Sequence, residues 1–126
     1  MFLILDFTRS LQLALINNNQ FESKEIETKK NISEILIFEI DKFLNKSKVK
    51  INKIKSICVI TGPGSFTGIR SALTFAKSLR LTSKLDIVGI SKFEVINFKI
   101  KIYKKKCIFL HFKNNQFFTQ TFKGNK

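Results

Sequence analysis

The hydrophobic pattern changes period along the chain. It alternates at first, with Leu11, Leu13 and Leu15 separated by Gln12 and Ala14. Alternation of this kind predicts half-buried strands. Residues 2–7 and 11–16 are read as a hairpin, and Asn17-Asn18-Asn19 supplies turn residues that tolerate positive φ. Residues 20–27 follow as a more polar strand on the antiparallel edge. The period then turns helical from Asn31 to about Lys46, with Asn31 as N-cap and Glu34 as its capping-box partner. At 100° per residue, Ile32, Ile35, Leu36, Ile37, Ile40, Phe43 and Leu44 spread over roughly 200°. A helix lying on one sheet needs a stripe nearer ~100°. The excess, with Phe38 further round, predicts a second buried face. Either the helix lies deep in its own core or, the reading favoured for so small a protein, that face meets another protein.

After the polar tract 45–55 comes Ile57-Cys58-Val59-Ile60, a buried strand by its β-branched run. A second helix is expected over 67–83, with Ile69, Ala72, Leu73, Phe75, Ala76 and Leu79 toward the core. Ser71, Thr74 and Ser78 lie together on the opposite side, where small residues permit close helix approach. A strand over 86–90, a short helix from Ser91 to about Phe98, a basic linker over 99–106 and a hairpin of strands 107–112 and 117–122 complete the chain.

Between the buried strand and the second helix lies Thr61-Gly62-Pro63-Gly64-Ser65-Phe66-Thr67-Gly68-Ile69-Arg70. A hydroxyl of Ser65 or Thr67 can cap the helix, leaving backbone N–H groups facing the loop, a geometry that suits an anion or a protein partner. Two familiar phosphate loops are excluded. The Walker spacing and its lysine are missing, since Ile69-Arg70 stands after Gly68. The dinucleotide fingerprint fails because Gly62, Gly64 and Gly68 are one residue too widely spaced.

The whole string is more specific than its glycines, and it resembles the signature of the bacterial TsaB (YeaZ) family. Leu5-Asp6-Phe7-Thr8 is similar to that family's first-strand segment, and Val88-Gly89-Ile90-Ser91 to its Gly-Val-Ser. The resemblance implies an α/β fold: an N-terminal domain of the actin-like ATPase superfamily (ASKHA, ribonuclease H-like) with a mixed five-stranded sheet and three helices. It implies a role beside the TsaD catalytic subunit and the TsaE ATPase in making threonylcarbamoyladenosine at position 37 of tRNA. TsaB proteins are similar to TsaD in fold, yet serve as its dimerisation partner. Their two helices form both that contact and a homodimer contact. Asp6 matches an acid that handles phosphate or metal in active relatives; the plainer reading is a turn-capping aspartate. The family continues into a second lobe, so this chain is expected as residues 1–106 plus a hairpin, 107–126, standing where that lobe is missing or reduced. Asn31 and His111-Phe112-Lys113 depart from the family pattern.

Composition adds less. The formal charge of +14 suits nucleic acid. However, lysine outnumbers arginine 20 to 3, with 18 isoleucines and 10 asparagines, the signature of an AT-rich genome. A selected phosphate-binding surface would favour arginine. No apolar run approaches the ~20 residues of a membrane span, and a cytoplasmic protein is expected. Cys58 and Cys107 are read as core residues. No cofactor or metal is expected.

The reading is a non-catalytic scaffold subunit partnering a TsaD-like protein, with a TsaE-like ATPase in the same complex, a homodimer as a further state and tRNA met through the complex. Contact residues are Ile32, Leu36, Ile37, Leu44, Gly64, Ser65, Phe66, Thr67, Arg70, Ser71, Thr74 and Ser78. Gly62, Pro63, Gly64 and Gly68 set the loop, and Asp6 is a weak phosphate candidate. The rivals are a small basic nucleic-acid-binding protein and a weak phosphate-loop nucleotide-binding enzyme.

Overall fold

Alternation in the first third of the chain builds a meander. Strands β1 (Phe2–Asp6), β2 (Leu11–Asn17) and β3 (Gln20–Ile26) pair antiparallel, with Leu3 opposite Leu15 and Leu5 opposite Leu13. The computed structural model describes residues 1–100 and 104–124. Strand β4 (Ser56–Ile60) then adds parallel to β1, and β5 (Asp86–Ile90) parallel to β4. The sheet order is β3-β2-β1-β4-β5. This is the mixed five-stranded sheet expected.

Helices α1 (Ile32–Lys46) and α2 (Phe66–Thr82) pack side by side over one face of the sheet. Leu3, Leu5, Leu13, Leu15, Ile57 and Val59 supply that face, and Leu36, Ile40, Phe43, Leu44, Ala72 and Ala76 close over it. Ala72 and Ala76 are fully buried, so α2 lies close to the strands with only methyl groups between. The opposite face of the sheet is apolar but half-open. Paired neighbours Phe2, Ile16 and Phe21 lie there, with Phe2 and Phe21 exposed, and Val88 is exposed on β5.

Helix α3 (Lys92–Lys99) begins with a capping box in which Ser91 accepts from the Glu94 N–H and Glu94 accepts from the Ser91 N–H. The remaining strands, β6 (Lys106–His111) and β7 (Phe117–Phe122), form a separate antiparallel ribbon reached across the expected linker. Positions 101–103 of that linker fall outside the described residues. Ile108 is the buried anchor of the ribbon, and Lys106 donates to the carbonyls of Asn97 and Ile100 at 3.3 and 2.7 Å, satisfying the C-terminal end of α3.

Three expectations need correction. Leu36 and Leu44 were expected at a partner contact, but they are 5% and 4% exposed, packed against the sheet. The apolar arc of α1 is wide because its middle is core and only its flank is open, with Ile37 at 71% and Phe38 at 64%. The capping box at Asn31 does not form. Asn31 has the extended N-cap backbone, but its side chain accepts nothing from the helix and instead donates its amide to Glu34 at 3.1 Å. Cys107 is exposed rather than core, on the outward side of β6, whereas Cys58 is half-buried and burial raises its thiol pKa.

Leu36→Ala should therefore lower the unfolding free energy by about 2–5 kcal/mol. Phe38→Ala, one turn-face away in solvent, should change it by less than about 0.5 kcal/mol. Urea denaturation of the two variants checks the division; equal losses would contradict it.

Candidate functional site

Strands β1, β4 and β5 run parallel, so their C-terminal ends meet at one edge of the domain. In open α/β sheets this edge is where ligand and partner sites gather. Here the segments after the three strands are tied into one knot. The chain leaves β4 through Thr61, whose N–H donates to the Ile90 carbonyl at 2.9 Å. It then turns at Gly62, with φ of +107°, a conformation that suits glycine, and passes a cis bond to Pro63. The Gly62 carbonyl accepts from the Lys92 N–H at 2.7 Å, and the Ser65 N–H donates to the Thr8 carbonyl at 2.7 Å. The loop is thus fastened to β1 on one side and to the start of α3 on the other.

The two later glycines have a steric reason. A Cβ on Gly64 would collide with the backbone and Cβ of Thr8, and one on Gly68 with the Phe7 carbonyl. Neither has a positive φ; both are glycine because the backbone of β1's exit touches them. Gly68, in the first turn of α2, donates its N–H to Ser65 Oγ at 3.2 Å. Ser65 is therefore the cap, and Thr67 is not.

Asp6 lies under this knot. Its Oδ1 accepts from the Thr8 N–H at 3.0 Å and from Thr8 Oγ1 at 2.6 Å, and Lys92 Nζ stands 3.4 Å from Oδ2. Lys92 also donates to Thr8 Oγ1 at 2.7 Å. Asp6 is thus a turn-capping residue with a lysine counter-ion, the plainer of its two sequence readings. Lys92 was missed in the sequence. Its only signal was its place one residue beyond Val88-Gly89-Ile90-Ser91, which nothing tied to Asp6. Beside the knot is a cleft of about 550 Å³ walled by Asp6, Arg9, Gln12, Glu25 and Lys92 among others. Hydrogen bonds from Ser10 and then Gln12 hold the Glu25 carboxyl below its usual pKa.

The expected contact residues fall into two groups. Ile37, Phe66 (77% exposed), Thr67, Arg70, Thr74 and Ser78 are exposed, Ile32 and Ser71 are half-buried, and α1 and α2 adjoin. The hydroxyls of Ser71 and Ser78 donate to the carbonyls of Thr67 and Thr74, each at 2.8 Å, which folds them against their own helix. That leaves a low ridge on α2, the helix that adjoins α1. Gly64 and Ser65 are half-buried in the knot, and Leu36 and Leu44 belong to the core.

A family model described as TsaD: tRNA N6-adenosine threonylcarbamoyltransferase matches residues 19–121. The chain belongs to the TsaD family, as a TsaB (YeaZ) member. Among similar curated proteins is the tRNA threonylcarbamoyladenosine biosynthesis protein TsaB of Buchnera aphidicola from Acyrthosiphon pisum. It is 27% identical over 117 residues, which is 90% of this chain and 53% of that protein. The protein of the same name from the Schizaphis graminum symbiont is 39% identical over 70 residues, 55% of this chain and 33% of that one. YeaZ from Pseudomonas aeruginosa superposes with a TM-score of 0.79 at 16% identity, over 99% of this chain and 61% of that structure. The chain thus spans only about a third to a half of the curated relatives it matches. The fold is the actin-like one of this family.

The close approach at Gly68 makes a prediction with a definite sign. By helix propensity alone, Gly68→Ala should stabilise α2 by about 1 kcal/mol. Collision with the Phe7 carbonyl should reverse this, so that Gly68→Ala, and more so Gly68→Val, lowers the urea midpoint. Ser65→Ala should cost about 1 kcal/mol through loss of the cap.

Proposed function

We propose that this chain is a non-catalytic subunit of the machinery that makes threonylcarbamoyladenosine on tRNA, and that it holds a TsaD-like protein in its active arrangement. The observation that carries this reading is the surface of α1 and α2. Ile37 and Phe38 on α1 and Phe66 on α2 are large, apolar and exposed, and α2 also exposes the small side chains of Thr74 and Ser78. Large apolar side chains left exposed on two adjoining helices are the kind of surface that a protein partner covers. The names of the TsaB relatives support the pathway.

The family model's own description is that of the transferase, and one structural relative is described as similar to a peptidase. The arrangement of Asp6 favours the scaffold over either. Its oxygens already serve the turn, Oδ1 accepting from Thr8 and Oδ2 facing Lys92. The one histidine, His111, packs edge-on against Phe117 at 5.4 Å on the ribbon. A TsaE-like ATPase, a homodimer and tRNA delivered through the complex belong to the same proposal, as does a cytoplasmic setting. Among the described residues, no helix is long and apolar enough to cross a membrane. The proposal also takes 1–106 as the actin-like domain and 107–126 as the opening strands of a second lobe, a reading supported by the superposition over 99% of the chain.

Thr74→Arg tests the interface. Thr74 is exposed, so the variant should fold with a wild-type circular dichroism spectrum. An arginine buried unpaired between helices typically costs several kcal/mol, lowering affinity by orders of magnitude. A pull-down with the TsaD protein of the same organism reads the result. A folded variant that binds at wild-type affinity would remove this face from the interface.

A further inference from the structure

The edge of the sheet opposite the glycine knot is strongly basic. Strands β1, β4 and β5 begin there, and α1 and α2 both end there. Between Asp41 and Asp86 the sequence contains ten lysines and arginines and no aspartate or glutamate. Lys46, Lys48, Lys50, Lys53 and Lys55 fall at the end of α1 and in its connection to β4, and Arg80 and Lys84 flank the end of α2. All seven are exposed, and among the described residues none is in an ion pair. The acids brought to this edge are Glu22, which accepts from the Ser47 hydroxyl, and Asp86, whose N–H donates to the Lys55 carbonyl at 2.9 Å.

An AT-rich genome raises the number of lysines but does not arrange them. Along the connection apolar residues turn inward between the lysines, with Ile54 buried and Val49 packed against the core. Lys55 is fastened on its other side too, its N–H donating to the Met1 carbonyl at 3.0 Å. A pinned backbone therefore presents these ammonium groups, and less ordering is needed when a ligand arrives. Lys48 carries a further sign. It follows α1 with a φ of +55°, in the left-handed position that favours glycine, and the Val49 N–H closes the turn on the Leu44 carbonyl at 2.9 Å. Glycine would relieve that strain, so lysine stands there at a cost to the fold.

The charge itself keeps the edge open, whatever chain follows, because burying these cations unpaired under another lobe would be costly. Lysine is depleted at protein interfaces, whereas rows of phosphate suit ammonium groups as point charges. Neither 46–55 nor 80–86 contains an aromatic residue on which a free base could stack. A double helix needs no such ring and offers the denser row of phosphates.

We propose that this edge holds the phosphate backbone of double-helical RNA. The lysines of the connection, with Arg80 and Lys84, take phosphates, and no base is read. The choice of RNA rests on the function proposed above; the direct contact by this chain goes beyond it.

The test titrates the whole chain against a labelled 12-base-pair RNA duplex by fluorescence anisotropy. Affinity should fall with salt at a log–log slope of about −0.9 per phosphate contacted, the value for a duplex. Lys50→Glu/Lys53→Glu should weaken binding at least about tenfold and lower the slope by about one for each lysine. Lys29→Glu/Lys30→Glu changes the net charge equally, but those exposed lysines lie at the opposite end of α1. Salt screens charges that far away, so the loss there should stay below about threefold. Lys48→Gly should act with opposite signs, raising the urea midpoint while weakening RNA binding and lowering the slope by about one. Equal losses in the two charge-reversed variants, or full affinity in Lys48→Gly, would overturn the site in favour of the protein's overall field. A 12-nucleotide oligouridylate that binds as tightly as the duplex would overturn the helix as occupant. So would displacement of the duplex by equal charge as oligoglutamate or as phosphatidylglycerol vesicles. The pull-down with TsaD is read separately and should be unchanged in Lys50→Glu/Lys53→Glu, so failure of the scaffold reading and failure of this site are distinguishable.

Discussion

The contact between the glycine loop and the exit of β1 governs the architecture of this domain. Backbone meets backbone at Gly64 and Thr8, and again at Gly68 and Phe7, with no room for a single methyl group. That approach sets how near α2 can come to the sheet. Ala72 and Ala76 continue the same closeness along the helix, one and two turns on. A domain of this size has little apolar area to spare, and direct packing of helix on strand uses it efficiently. Lys92 and Asp6 then tie the third parallel segment to the same point. The loop is best understood as a rivet between three segments, which is a structural use of a motif whose glycines suggest a phosphate cradle.

Most of the sheet and both long helices were legible in the sequence because their patterns are set by local chemistry. Leu11, Leu13 and Leu15 alternate, and Ala72 and Ala76 recur at helical spacing, whatever they pack against. The hidden features were pairings between distant segments. Lys92 and Thr8 lie 84 positions apart, and no periodicity connects them. The same blindness explains the error at Leu36 and Leu44. A wide apolar arc shows how much of α1 is covered, but not which part is covered by its own sheet. Asn31 failed for a subtler reason, since its amide can donate as well as accept, and Glu34 offered it an acceptor.

Two surfaces remain apolar and open in the isolated chain, one on α1 and α2 and one on the ribbon. They differ in electrostatic setting. Charges of both signs lie on the helices, with Glu34, Asp41, Lys42 and Lys46 on α1 and Arg70, Lys77 and Arg80 on α2, whereas nothing acidic follows Glu94 in sequence.

The tether from Lys92 to Thr8 also bears on the order in which the chain acquires its shape. The β1–β3 meander contains only neighbours in sequence and can form as soon as its three strands exist. The end of β1 must then wait for two crossovers, α1 to β4 and α2 to β5, before Gly62, Ser65 and Lys92 arrive to close around it. During synthesis this means that Asp6 and Thr8 stand exposed while more than eighty residues are still to be made. The rivet closes only when Lys92 is in place, 84 positions beyond the threonine it is driven through.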